Sequence, residues 1–310
     1  VTDTTEGRHL VANPYFHIVD TQGNQLPYIS EQDEVYKNDN ELRILTLVNG
    51  EADYKSQSLQ LSSAPMLLEG QEKGDYTIYL KPEITLSNIS FNVTHQDLGK
   101  REVFGDLRFR KAMSVAINRE EINEVALFGQ GTPKQYTGFS PMPDFIDKKW
   151  ESYMIQYDPG MANSLLDQIG MKDTNGDGVR ELPNGKKLVI NMQFSTQGID
   201  PQIVQMVGQN WAEVGIKTTV KEVTPDEYRS AQSSNQLDVG MWRSSQPLSI
   251  VMGNNELWVP PFENYFGHRT GMLWAEYVDS NGSKGVKPPA YVMQLIEDVN
   301  EFQSTAVGSP

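Results

Sequence analysis

Residues 105–133 read GDLRFRKAMSVAINREEINEVALFGQGTP, which the spacing divides into two short helices in tandem. Asp106 stands where it can cap the first, because a side-chain oxygen at a helix start accepts from backbone N–H groups that lack a partner within the helix. Phe109, Ala112, Met113 and Ala116 recur at i, i+3, i+4 and i+7 and so share one buried stripe. Asn118 restarts the count, and Glu121 three residues later completes a capping-box pattern. Ile122, Val125 and Ala126 give the second helix its apolar face, and Gly129 and Gly131 stop it. The arginines can bond backbone carbonyls near the helix ends. Taken alone, the stretch is a helical corner of an α/β domain.

Beyond it the alternation is regular. Asp158-Pro159 is a cap with Pro at the first helical position, and Ala162, Leu165, Leu166 and Ile169 make the stripe before Gly170. Leu188, Ile190, Met192 and Phe194 alternate as a strand. Asp200-Pro201 opens a helix with Ile203, Met206, Val207, Trp211 and Val214 inward and Gly215 as its stop. Ile216, Thr218 and Val220 form a strand, Thr224-Pro225 starts a helix, and 237–242 is the next strand. Strands alternating with helices over short links imply right-handed crossovers and a parallel sheet, with 95–245 as one α/β domain.

Toward the N-terminus, Asn13-Pro14 and Gly23-Asn24 are turn signals, and Tyr15, Phe16, Ile18 and Val19 suit a strand between them. Residues 41–53 read as a helix ending in a turn into a strand. Residues 76–93 read as a strand, a turn at Lys81-Pro82, and a strand through Ile84, Leu86, Ile89 and Phe91. Past Trp242 the periodicity loosens until a last helix carries Val292, Leu295, Ile296 and Val299 on one face.

Composition narrows the function. The 310 residues suffice for two domains with real cores. A formal charge of −15 argues against binding nucleic acid or anionic lipid, because like charges repel. With no cysteine there is no disulfide, zinc–thiolate site or cysteine nucleophile. No apolar run is long enough to span a bilayer, and Val1 opens in polar sequence, so no signal peptide is expected in this stretch. His9, His17, His95 and His268 are scattered without metal-ligand spacing. No P-loop, dinucleotide fingerprint or nucleophile elbow is present, so no cofactor is expected.

The tandem helices resemble the D-x-R-x-R-x-A-x-x-x-A-I-[DN]-R-x-x-I segment and following G-x-G-T-P of the family 5 extracellular solute-binding proteins. These are the peptide and oligosaccharide receptors of ABC importers. The matching positions are Asp106, Arg108, Arg110, Ala112, Ala116, Ile117, Asn118, Arg119 and Ile122, then Gly129, Gly131, Thr132 and Pro133. Residues 12–29, ANPYFHIVDTQGNQLPYI, resemble a second family signature. Trp274, Gly282, Gly285, Pro288 and Pro289 match a third.

The resemblance implies a type II periplasmic-binding-protein-like α/β lobe and an incomplete second lobe, cut at both ends. Residues 1–94 would hold part of lobe I and the first hinge crossing, and 95–245 the complete lobe II. Residues 246–310 would hold the second crossing and a truncated return into lobe I. It further implies capture of an oligosaccharide or oligopeptide by hinge closure, delivery to ABC permease membrane subunits, and an extracellular or periplasmic place with a lipid anchor on the full-length protein. Two other classes remain open: the ligand-sensing module of a regulator, and a glycoside hydrolase, which requires a facing carboxylate pair.

Candidate binding residues follow from the rule that ligands of α/β sheets sit beyond the strand carboxyl ends. Trp242, Arg243, Ser244 and Gln246 lie there, and Asn92 and Trp258 join them as candidates. Aromatic platforms with short polar groups suit a neutral polar solute. Peptide-binding relatives often carry an acidic residue shortly after this tryptophan. Residues 243–246, RSSQ, hold no carboxylate, which tilts the expectation to an oligosaccharide. Residues 173–184, DTNGDGVRELPN, place Asp173, Asn175 and Asp177 at positions 1, 3 and 5 of a calcium-type loop. Position 12 is Asn184 instead of a bidentate Glu, so a polar β-turn is the favoured reading over a metal site.

Overall fold

A computed structural model of the chain describes all residues except 38, 58, 81–87, 137, 138, 140, 243–269 and 307–310. The chain falls into two compact units, Val1–Leu80 and Lys81–Pro310.

The first unit holds an antiparallel meander of β1 (Thr2–Asp3), β2 (Gly7–Val11) and β3 (Glu31–Val35), in register from Gly7↔Val35 to Val11↔Glu31. Three helices follow: α1 (Asn40–Val48), α2 (Ala64–Glu69) and α3 (Gln71–Gly74). The strand expected at 15–19 is absent. Asp20 accepts the backbone N–H groups of Gln22 and Asn24, each at 2.8 Å, and Phe16 N–H donates to the Asn13 carbonyl at 3.1 Å. Side-chain turns of this kind offer the backbone an alternative to a ladder, and only Val19 forms a bridge, to Gln25. Tyr76–Leu80 likewise has no strand, and the expected turn at Lys81-Pro82 and residues Ile84 and Leu86 lie outside the described residues.

The second unit runs β4 (Asn88–Phe91), α4 (Leu98–Gly105), α5 (Leu107–Val115), α6 (Arg119–Leu127), α7 (Pro159–Gln168), β5 (Val189–Phe194), α8 (Pro201–Glu213), β6 (Lys217–Glu222), α9 (Pro225–Ser233), β7 (Val239–Trp242), α10 (Met272–Asp279) and α11 (Ala290–Ala306). The tandem helices are α5 and α6. Asp106 caps α5 by accepting Arg108 N–H at 2.7 Å, and Phe109, Ala112, Met113 and Ala116 are buried. Arg110 donates to the Phe104 carbonyl at 2.7 Å and Arg119 to the Ser114 carbonyl at 2.8 Å. Burial pushes the Arg119 guanidinium down to about 10.

Two details of α6 differ from expectation. Val125 is 46 % exposed and Asn123 turns inward instead, because its Oδ1 accepts Gly131 N–H at 2.7 Å and closes the turn after the helix. Asn118 caps α6 by accepting Glu121 N–H at 3.2 Å, but the reciprocal bond is not to its backbone. Asn118 N–H donates to Asn210 Oδ1 of α8 at 2.9 Å, leaving Glu121 to accept from Asn118 Nδ2 at 3.0 Å. The helix start is thus tied to a neighbouring helix, while a full capping box occurs at Thr224 and Glu227 on α9.

The core lies between these helices and the strands. Trp211 of α8 stacks on Phe91 of β4 at 5.5 Å between centroids and donates its indole N–H to the Met113 carbonyl at 3.0 Å. β5 and β6 pair in parallel, with α8 as the crossover, in register from Val189↔Lys217 to Phe194↔Glu222. β7 forms no ladder with β6 in the described residues. It pairs antiparallel with β4, Asn88↔Trp242 to Phe91↔Val239, and lies beside β5. Asp238 meets Asn191 and Trp242 meets Gly198, so β7 and β5 run in the same direction. The expected parallel sheet is therefore one parallel pair flanked by a strand, β7, with an antiparallel partner. In α11, Val292, Ile296 and Val299 pack against Trp274 and Val278, while Leu295 is turned outward.

Candidate ligand-binding site

The carboxyl ends of β5 and β7 stand side by side, and the residues after them build a small platform. Past β5 the chain turns tightly: Gly198 and Ile199 N–H groups donate to the Ser195 carbonyl at 2.8 and 3.1 Å. Asp200 then caps α8, accepting Gln202 N–H at 2.8 Å, with Pro201 at the first helical position. The Trp242 ring lies directly on Gly198. A Cβ at position 198 would sit 2.2 Å from Cε3, 2.5 Å from Cδ2 and 2.7 Å from Cζ3 of the indole.

Tyr228 of α9 backs the same ring, with centroids 5.3 Å apart and planes at 34°. Tyr228 is itself fully buried, and its hydroxyl accepts Met241 N–H at 2.7 Å; burial pushes the hydroxyl pKa above its ordinary value. The half-buried Trp242 is thus held between a glycine and a fixed tyrosine; in the turn that carries Gly198, Ser195 is buried, Thr196 is half-buried and Gln197 is exposed. Held in this way, the indole leaves only part of its surface exposed at the strand carboxyl ends.

Among the sequence-derived candidates, Trp242 occupies this platform. Arg243, Ser244, Gln246 and Trp258 lie outside the described residues. Asn92 is at the other end of the β4–β7 ladder. The register that sets Asn88 opposite Trp242 carries Asn92 past the start of β7, roughly 13 Å away at 3.3 Å per residue. There Asn92 is 3 % exposed, donates to Asn235 Oδ1 at 2.8 Å and the Leu237 carbonyl at 2.9 Å, and accepts from Thr94 N–H at 3.1 Å. Sequence reasoning missed Gly198, Tyr228 and the 195–197 turn. The strand-end rule applied to β5 as well as β7 would have found the turn.

The 173–184 loop satisfies itself. Asp173 accepts Gly176 and Gly178 N–H groups at 2.7 and 2.8 Å, and those backbone bonds hold its carboxyl below the usual range. Asp177 pairs with Lys187 at 2.7 Å. Asn175 donates to Glu181 Oε1 at 2.6 Å, and Asn184 accepts Lys186 N–H at 3.0 Å in its own turn. Asp173, Asp177 and the buried Glu181 approach within 4.8 Å of one another, with Glu181 as the inward carboxylate that the position-12 rule overlooked.

An α/β unit with adjacent strand carboxyl ends offers the crevice in which α/β proteins bind ligands. The chain belongs to the bacterial extracellular solute-binding proteins, family 5, whose model matches residues 3–257. It is 26 % identical over 309 residues to the periplasmic alpha-galactoside-binding protein of Rhizobium meliloti, covering 94 % of this chain and 42 % of that protein. Among solved structures it is similar to the oligopeptide-binding protein OppA, with 28 % identity and a TM-score of 0.65 over 98 % of this chain and 51 % of that one. The fold is also that of the periplasmic binding protein MelB from Agrobacterium fabrum, solved with stachyose, with 19 % identity, a TM-score of 0.73, and coverage of 98 % and 46 %. The chain thus spans about half the length of the relatives it matches, and those relatives are binding proteins by name. Among the described residues no helix is long and apolar enough to cross a membrane.

Proposed function

We propose that this chain is the ligand-reading part of an extracellular receptor that captures a neutral oligosaccharide and delivers it to the membrane subunits of an ABC importer. The observation that carries the reading is the Trp242 ring seated on Gly198, in a turn that also carries Thr196 and Gln197. A sugar ring presents an apolar C–H face and a rim of hydroxyls, and the exposed part of the indole, with Thr196 and Gln197 in the turn that carries Gly198, offers apolar surface and polar groups to match. Three further facts favour a saccharide over a peptide. Residues 243–246 bring no carboxylate to meet a peptide ammonium, the Rhizobium relative is named for alpha-galactosides, and the MelB structure holds stachyose. Affinity comes from burying the solute, without chemistry on it. A lipid anchor on the full-length receptor would keep it beside its permease.

Thermal unfolding of the full-length receptor with stachyose or with a tetrapeptide tests this. A ligand at a hundredfold excess over its Kd stabilises by about 2.7 kcal/mol, which raises the Tm of a receptor of that length by a few degrees. Stachyose is expected to produce such a shift and the peptide none. The opposite result overturns the saccharide assignment.

A further inference from the structure

One carboxylate joins β7 to its neighbour β5. Asp238, immediately before β7, is 1 % exposed. Its Oδ2 accepts the Asn191 backbone N–H at 2.6 Å and Asn191 Nδ2 at 3.0 Å, so a side chain takes the place of a ladder bond between β7 and β5. Lys100 of α4 donates to both Asp238 oxygens, at 2.8 and 2.7 Å. His95 Nε2 lies 2.9 Å from Oδ1, and its Nδ1 accepts Asp97 N–H at 2.9 Å, which leaves Nε2 to carry the proton. Asn191 Oδ1 accepts the Thr219 hydroxyl at 2.8 Å, extending the chain of bonds to β6. Burial works to raise the Asp238 carboxyl, but the bonds from His95 and Lys100, with that from Asn191, outweigh it and hold the group below the ordinary carboxylate range.

The placement of this link matters more than its strength. Asp238 is four residues before Trp242, and Asn191 is four residues before Ser195. The link therefore grips both strands roughly 13 Å upstream of Trp242 on one and of the start of the Gly198 turn on the other. β7 has a four-residue ladder with β4 on one side and Asp238 on the other. Because a one-residue slip in a strand sends every side chain to the opposite face, whatever fixes the phase of β7 also fixes where the indole lands.

We propose that Asp238 is the positioning residue of the binding site. Through Asn191 it sets the phase of β7 against β5, and so seats Trp242 on the Gly198 turn. Its consequence for solute capture rests on the receptor reading above, whereas the seating itself does not.

The test uses Asp238→Asn, together with Asp238→Asn/Lys100→Met, which removes the lysine that the single change strands. Asn191→Ala is a third variant that leaves Asp238, Lys100 and His95 paired. Backbone amides at 191–198 and 239–242 are expected to exchange at least tenfold faster in the first two variants, and less so in the third, while α5 and α7 exchange as in the parent. The near-UV circular dichroism of the indoles should change as well, and that change should vanish when Trp242→Phe is combined. Uniform acceleration across the unit, parental exchange at the named amides, or a spectral change that survives Trp242→Phe overturns the proposal. Stachyose titrated into the full-length receptor separates the two readings. No binding by the parent, with the exchange pattern intact, removes the saccharide function and leaves the positioning role. Equal binding by parent and Asp238→Asn overturns the positioning role.

Discussion

Gly198→Ala probes the platform with one methyl group. The added Cβ would meet three indole carbons of Trp242 at 2.2, 2.5 and 2.7 Å. Carbon atoms rest at about 3.5–4.0 Å, so the ring must withdraw by roughly 1.3 Å or more. It has little room to do so, because Tyr228 stands behind it, fully buried and fixed through Met241. The alternative is a shift of the backbone at 198, which breaks the 2.8 Å bond from its N–H to the Ser195 carbonyl. Overpacking of this kind costs about 1–3 kcal/mol, equivalent to a fall in Tm of roughly 2–12 °C for a domain of this size. The assay is thermal unfolding of Gly198→Ala in two backgrounds, the parent and Trp242→Leu. If the ring is what the methyl strikes, the destabilisation should shrink to within about 0.5 kcal/mol of zero once the indole is gone. Equal losses in both backgrounds, or none in either, would refute the argument that Gly198 exists to seat Trp242.

Trp211→Phe should cost about 1–3 kcal/mol in urea unfolding, because it removes the donor to the buried Met113 carbonyl as well as part of the ring packed on Phe91. Asn92→Ala should cost a similar 1–3 kcal/mol, since it leaves the Leu237 carbonyl and Asn235 Oδ1 without their donor; stachyose affinity per folded molecule should then change less than stability does. The Asp238 carboxyl is held below its ordinary value of 3.8, so its contribution is fully present above that value and is lost as pH falls through the lower folded value. The difference in Tm between the parent and Asp238→Asn should therefore be constant from about pH 7 to 5 and close below about pH 4. A gap that widens on acidification would contradict the sign.

The helices of the second unit were legible because their signals are local. Asp106, Asn118, Asp158, Asp200 and Thr224 each cap the helix they precede, and Pro159, Pro201 and Pro225 each open one. Misreadings arose where a local rule met a distant partner. Asn118 gives its backbone N–H to Asn210, and the expected capping box opens. Asn92 directly follows β4. Which end of β7 it falls on depends on the pairing of Phe91 with Val239, a register that no window around either residue contains.

Trp242 illustrates the same limit from the other side. Its position at a strand carboxyl end is readable, but what makes it a platform is Gly198, 44 residues earlier by the numbering. In the sequence Gly198 looks like an ordinary turn glycine between strand and helix. Its φ does not lie in the left-handed region where glycine is favoured for backbone reasons, unlike that of Gly170 or Gly215. The constraint on it is steric and external, imposed by an indole that reaches it only after β7 has been phased against β5. If Asp238 supplies that phase, the need for glycine at 198 follows from an acid at 238. Replacing Asp238 should then make alanine at 198 cheaper than it is in the parent, a coupling that unfolding of the four variants would read directly.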